Sequence, residues 1–94
     1  MSTHHENELY RFHTIVGANI KAHREKRGLS QLELAHRIGH ASVSVISHGE
    51  VCHNGKRFNL SHIYLIAKTL GIKPADLVDC GGRLFDSSEK KEKE

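Results

Sequence analysis

What most constrains the fold of this chain is where its helical patterns are made to stop. Phe12, Ile15, Val16, Ile20 and His23 advance in steps of three and four, the spacing of one helix face. The spacing predicts a first helix from Leu9 or Phe12 to Lys26, with a basic last turn (Arg24, Lys26, Arg27) and a stop at Gly28. Ser30 and Glu33 have the spacing of a capping box, so a second helix starts at Gln31, buries Leu34, Ala35 and Ile38, and ends at Gly39. Ser42 suits the N-cap of a third helix reaching Glu50. Asn54-Gly55 is a turn. Asn59 caps a fourth helix, with Leu60, Ile63, Ile66, Ala67 and Leu70 in a stripe that Gly71 ends. Pro74 opens a short fifth helix through Leu77 and Val78. No segment argues convincingly for a strand. The expected class is all-α, a compact bundle of five short helices.

Ninety-four residues suffice for one domain around one modest core. Residues 11–73 hold ten Lys/Arg against three acids, a net +7, whereas 1–10 and 74–94 each carry −2. A basic middle between acidic ends is the electrostatic footprint of a polyanion binder, although solubilising charge can give the same pattern. Residues 1–10 read as a flexible acidic extension, 11–80 as the domain, and 81–94, ending in "SSEKKEKE", as a partly disordered tail. No membrane-length apolar run and no export signal are visible, and Cys52 and Cys80 form no paired motif. The expectation is a cytoplasmic protein with reduced thiols.

"SQLELAHRIGHASVSVIS" (Ser30–Ser47) carries the functional signal. After Gly39 the chain restarts with short hydroxyl and β-branched residues, which a core-filling helix would not favour. A helix lying in a major groove must approach base edges closely. Ser hydroxyls can donate or accept there, and Val can meet a thymine methyl. Taken alone, the same run would also fit a loosely packed helix or a strand.

"IKAHREKRGLSQLELAHRIG" resembles the opening of the phage-repressor and Cro-like helix-turn-helix family, with Arg24, Gly28, Ser30, Gln31, Leu34, Ala35 and Gly39 at matching places. "ISHGE" (Ile46–Glu50) resembles the end of its recognition helix, and "NLSHIYLIAKTLGIKPADLV" its helices 4 and 5. The likeness spans roughly residues 13–79 and implies a repressor-like domain with the helix-turn-helix in helices 2 and 3. There are two departures. From Gly39 to Glu50 is eleven residues, where the family usually has ten. An ungapped register buries Val45 and His48. A register with one extra turn residue buries Ala41 and Ile46 and exposes Ser47 and His48, and it is favoured because it avoids desolvating a polar ring. Gly49 stands where a large apolar anchor is usual and should weaken helix 3 by about 1 kcal/mol relative to Ala.

The resemblance implies double-stranded DNA as partner, read by Ser42, Val43, Ser44, Ser47 and His48. Gln31 would hold a phosphate or brace helix 3, and His53, Asn54, Lys56 and Arg57 would meet the sugar-phosphate backbone. His36 and Arg37 are as well explained by a solvated face. Arg24 and Glu50 would form an ion pair tying helix 1 to helix 3. A homodimer on a palindromic site is expected, because one helix reads only a few base pairs, with Leu77, Val78, Leu84 and Phe85 as its interface.

Other chemistry finds little support. His36 and His40 are four apart, but Gly39 intervenes and there is no HExxH, so no metal and no cofactor are expected. Without a phosphate loop, a nucleophile elbow or clustered carboxylates, no enzyme is expected. An antitoxin or another protein-interaction adaptor on the same fold remains an alternative, with a metal-responsive regulator behind it. Phage repressor, antitoxin and restriction-modification controller all share this build.

Overall fold

The structure, a computed structural model, describes residues 3–81. Five α-helices follow one another: α1 (Thr3–Lys26), α2 (Gln31–Arg37), α3 (Ser44–Val51), α4 (Leu60–Leu70) and α5 (Pro74–Val78), with a 3-10 turn at His53–Gly55 between α3 and α4. There is no strand among the described residues. α1 is longer than the apolar stripe argues: it begins at Thr3, ahead of Leu9, and Leu9 and Tyr10 on this added stretch are exposed.

Local chemistry sets the helix ends. Ser30 Oγ accepts from the Glu33 N–H at 3.0 Å and Glu33 Oε1 accepts from the Ser30 N–H at 2.7 Å, closing the capping box of α2. This bonding also holds the Glu33 carboxyl below its ordinary range. At Gly39 the backbone turns left-handed (φ 92°), and the His40 N–H returns to the Ala35 carbonyl at 2.9 Å. His36 and His40 therefore do not share a continuous helix face. α4 starts with an Asn59–His62 box, in which His62 Nδ1 accepts from the Asn59 N–H at 3.2 Å.

α3 starts later than Ser42, at Ser44. Val43 already has helical dihedrals (φ −68°, ψ −19°), and Ser42 Oγ accepts from the Ser44 N–H at 3.1 Å. Ser42 thus caps from one residue further out, a difference within the usual fraying of helix ends.

The core lies where α1, α2, α3 and α4 converge, closed at one end by α5. Ile20, Leu34, Ile46, Ile66, Leu70 and Leu77 are essentially solvent-free. Two expectations about faces fail. Leu60, assigned to the buried stripe of α4, is 85% exposed: it stands in the first turn, at the rim of an open groove it shares with Phe12 and Val16 of α1. Ala41 is exposed, whereas Ile46 is buried as the extra-residue register requires. The additional residue is therefore taken up in the turn, with Ala41 left in solvent rather than in the core.

One glycine lets α1 and α3 touch, and a second lets α3 take up a loop side chain. A Cβ at Gly17 would overlap the Glu50 carbonyl oxygen and stand 2.9 Å from that of Gly49. Gly49 is buried under the Phe58 ring, which a Cβ there would meet at 2.6–2.9 Å. The anchor expected from α3 itself thus comes from the loop, as Phe58.

Candidate nucleic-acid interface

The orientation of α3 is fixed from its buried side. Arg24 Nε donates to Glu50 Oε2 at 2.7 Å and its Nη2 donates to Oε1 at 3.2 Å, a bidentate pair. Both side chains are buried, 8% and 1% exposed. Arg24 Nη1 donates to the Leu29 carbonyl at 2.8 Å, and Gln31 Nε2 donates to Glu50 Oε1 at 3.0 Å. Of the two roles expected for Gln31, this geometry displays bracing: one amide hydrogen is committed to Glu50. No buried side-chain N or O lacks a partner among the described residues, so the charged group is fully satisfied. A chain joining Arg24, Glu50 and Gln31 therefore links α1, α3 and α2 beneath the helix that would dock.

The opposite side of α3 is open. Ser42 and Val43 are exposed, and Ser44, Ser47 and His48 are half-buried. Ser42 Oγ and Ser44 Oγ lie 2.9 Å apart, so these hydroxyls already satisfy each other in part. Ser44, Val45, His48, Lys56, Arg57 and His62 line one shallow concavity that contains no carboxylate. The fold thus brings together four residues expected at bases or phosphates, Ser44, His48, Lys56 and Arg57.

The loop after α3 gains its shape from two non-glycine residues in left-handed conformation, Cys52 (φ 54°) and Asn54 (φ 53°). They turn His53 back over α3, where its ring centre lies 4.7 Å from that of His48. Asn54 Nδ2 is 3.2 Å from His53 Nε2. A second ring pair, His40 with His62, has centres 5.2 Å apart, and Phe58 stands edge-on to His62 at 6.0 Å. Burial, then the neighbouring His40, holds the His62 imidazole below its ordinary value. Burial, then the Arg57 guanidinium, does the same for His13 on α1. Burial pushes the Cys52 thiol up, against a smaller opposing effect of Arg57.

Sequence reasoning missed His40 and His62 as neighbours of this face. Asn59 signals the cap but not the part His62 plays in it, and nothing local brings His40 to α4. No three His, Cys, Asp or Glu residues gather as a metal site among the described residues. Leu77 requires a correction. Instead of lying at a dimer interface, it is fully buried in the chain's own core. Asn19 Nδ2 clamps its carbonyl at 3.0 Å and that of Asp79 at 2.9 Å, which turns the Leu77 side chain inward against α1. Val78 is 36% exposed, and Leu84 and Phe85 lie outside the described residues. No described helix is long and apolar enough to cross a membrane.

A helix-turn-helix family model matches residues 20–77, from the second half of α1 into α5 and over more than half of the chain. No curated protein and no solved structure matches significantly. With its two-helix motif in α2 and α3 held by the buried Arg24–Glu50 pair, the chain belongs to the phage-repressor-like helix-turn-helix family of DNA-binding transcription regulators.

Proposed function

We propose that the protein is a repressor that binds double-stranded DNA sequence-selectively, laying α3 in the major groove as a homodimer on a two-fold operator. The observation that carries this reading is the asymmetry of α3. One side is locked by Arg24, Gln31 and Glu50, and the other presents short side chains beside a basic concavity without a carboxylate. Ser42, Val43, Ser44, Ser47 and His48 read base edges. His53, Asn54, Lys56 and Arg57 hold phosphates, and the second amide hydrogen of Gln31 adds one more donor. Ser42 has a double duty, since its hydroxyl also caps α3.

Val78 borders an apolar groove with Phe12, Val16, Phe58, Leu60 and Ile63, and it is the surface from which a dimer contact is built. Leu84 and Phe85 extend that contact in this proposal. Sedimentation equilibrium of the full chain and of a chain ending at Asp79 tests it. A monomer at tens of micromolar for the full chain, or an unchanged dimer after truncation, removes the role given to Leu84 and Phe85.

The readout is tested by selecting binding sites from random duplexes with the parent chain and with Ser44→Ala, Ser47→Ala and His48→Ala. Each variant should change preference at one or two base pairs by about 1–3 kcal/mol. Identical selected sites for all four proteins would show that α3 does not read DNA through these residues.

A further inference from the structure

The DNA-facing side of this domain carries an unusual resource: two contacting pairs of imidazoles from four separate segments. His48 of α3 meets His53 of the following turn at 4.7 Å, and His40 of the α2–α3 turn meets His62 of α4 at 5.2 Å. His48 and His62 both line the concavity with Lys56 and Arg57. We propose that DNA binding by this protein is coupled to proton uptake, one proton at each of these two histidine pairs, so that the domain grips DNA more tightly as pH falls toward 6. The coupling rests on the DNA-binding reading and adds the regulation of that same face.

The charges around the pairs make the coupling directional. The loop contributes Lys56 and Arg57 and α4 contributes His62, while the lining of the concavity contains no carboxylate; His13 of α1 lies in the neighbouring apolar groove and feels Arg57 from there. Glu50, the acid on α3, is buried in its bonds to Arg24 and Gln31 and offers the imidazoles no counter-charge. The charged side chains that line the concavity, Lys56 and Arg57, are both cationic. Docked phosphates reverse that field, and an anion close by favours the charged imidazolium. The histidine side chain is the group whose ordinary range makes such a reversal visible near neutral pH.

Geometry limits the uptake to one proton per pair. Two imidazolium rings in contact repel, so charging the first opposes charging the second. In the α4 pair the site of protonation is also defined. His62 Nδ1 accepts the Asn59 N–H at 3.2 Å, and a proton placed there would break the cap of α4. His40 has no such commitment among its ring contacts, and its backbone N–H, not its ring, closes the α2 turn. The proton of this pair therefore resides on His40, with His62 as the neutral partner that keeps the helix capped.

The experiment is calorimetric titration of the full chain with a duplex of roughly 20 base pairs at low salt, where non-specific binding is measurable. It is run at pH 7 in two buffers of small and large ionisation enthalpy, which gives the number of protons taken up. Between about one and two protons per chain are expected, and affinity should rise by up to about tenfold per pH unit for each proton. His40→Gln, which leaves the His62 cap in place, should lower the count by about one, and His48→Gln should lower it separately. Unfolding melts of both variants verify that they fold. Binding with equal heats in the two buffers overturns the coupling and leaves DNA recognition standing. A proton count unmoved by His40→Gln overturns the role of the α4 pair. No binding at either low salt or low pH overturns this inference together with the reading on which it rests.

Discussion

The two sides of α3 are built on opposite principles. Toward the core the contact is tight: Gly17 lies against the α3 backbone, Phe58 covers Gly49, and Arg24 and Glu50 pair in the interior with the Gln31 amide bound to the same carboxylate. Toward solvent lie hydroxyls, paired imidazoles and two cations around an open concavity. The buried side has almost no tolerance for change, and the exposed side should tolerate substitution without loss of fold. In the proposed DNA reading, rigidity behind the helix and chemistry in front of it would position short side chains for close docking.

The largest effect should come from splitting the buried pair. Glu50→Ala leaves the Arg24 guanidinium without its counter-charge, and we expect stability in urea unfolding to fall by about 3–5 kcal/mol. A fall below about 1 kcal/mol would mean that water replaces the carboxylate and that the two sides of α3 differ less than their geometry implies. The helix contact is next. Ala has the higher helix propensity, so at an exposed site Gly17→Ala would stabilise by up to about 1 kcal/mol. Here the added Cβ meets backbone that cannot yield locally, and the expected outcome is destabilisation by about 1–3 kcal/mol. The sign of the change in thermal unfolding decides between them.

On the open side, Lys56→Ala with Arg57→Ala should leave stability within about 0.5 kcal/mol. DNA affinity should fall for all sequences alike, and the slope of log affinity against log salt should shrink by about 0.9 for each phosphate no longer neutralised. An unchanged slope in fluorescence titrations would place these cations away from the DNA. The smallest effect is on stability against pH. His13 and His62 both have imidazoles held low by burial, so folding favours their neutral forms. That contribution is fully present above the ordinary value near 6.5 and disappears as pH falls through the lower folded-state values. Melting temperature should therefore decline below about pH 6.5, and less so in His62→Gln, whose amide can still accept from the Asn59 N–H.

Read alone, the chain specifies the number of helices and where most of them stop. The capping box at Ser30–Glu33, the Asn59 cap and the left-handed turn at Gly39 rest on bonds between residues a few positions apart, which depend little on the rest of the chain. Family resemblance, rather than spacing, points to Arg24 and Glu50. Packing alone settles which side of each short element is covered. α5 spans Pro74–Val78, barely more than one turn, so no periodicity could phase it; Asn19, distant in sequence, holds its end and turns Leu77 into the core. Leu60 reads as core by spacing and stands in water because the groove it shares with Phe12 and Val16 of α1 is open to solvent. Gly49 reads as a weakness and serves as a socket for Phe58, and His40 finds His62 only once α2 and α4 are packed. These contacts join residues far apart in the chain, and their energies depend on burial and exclusion that arise only when the helices assemble.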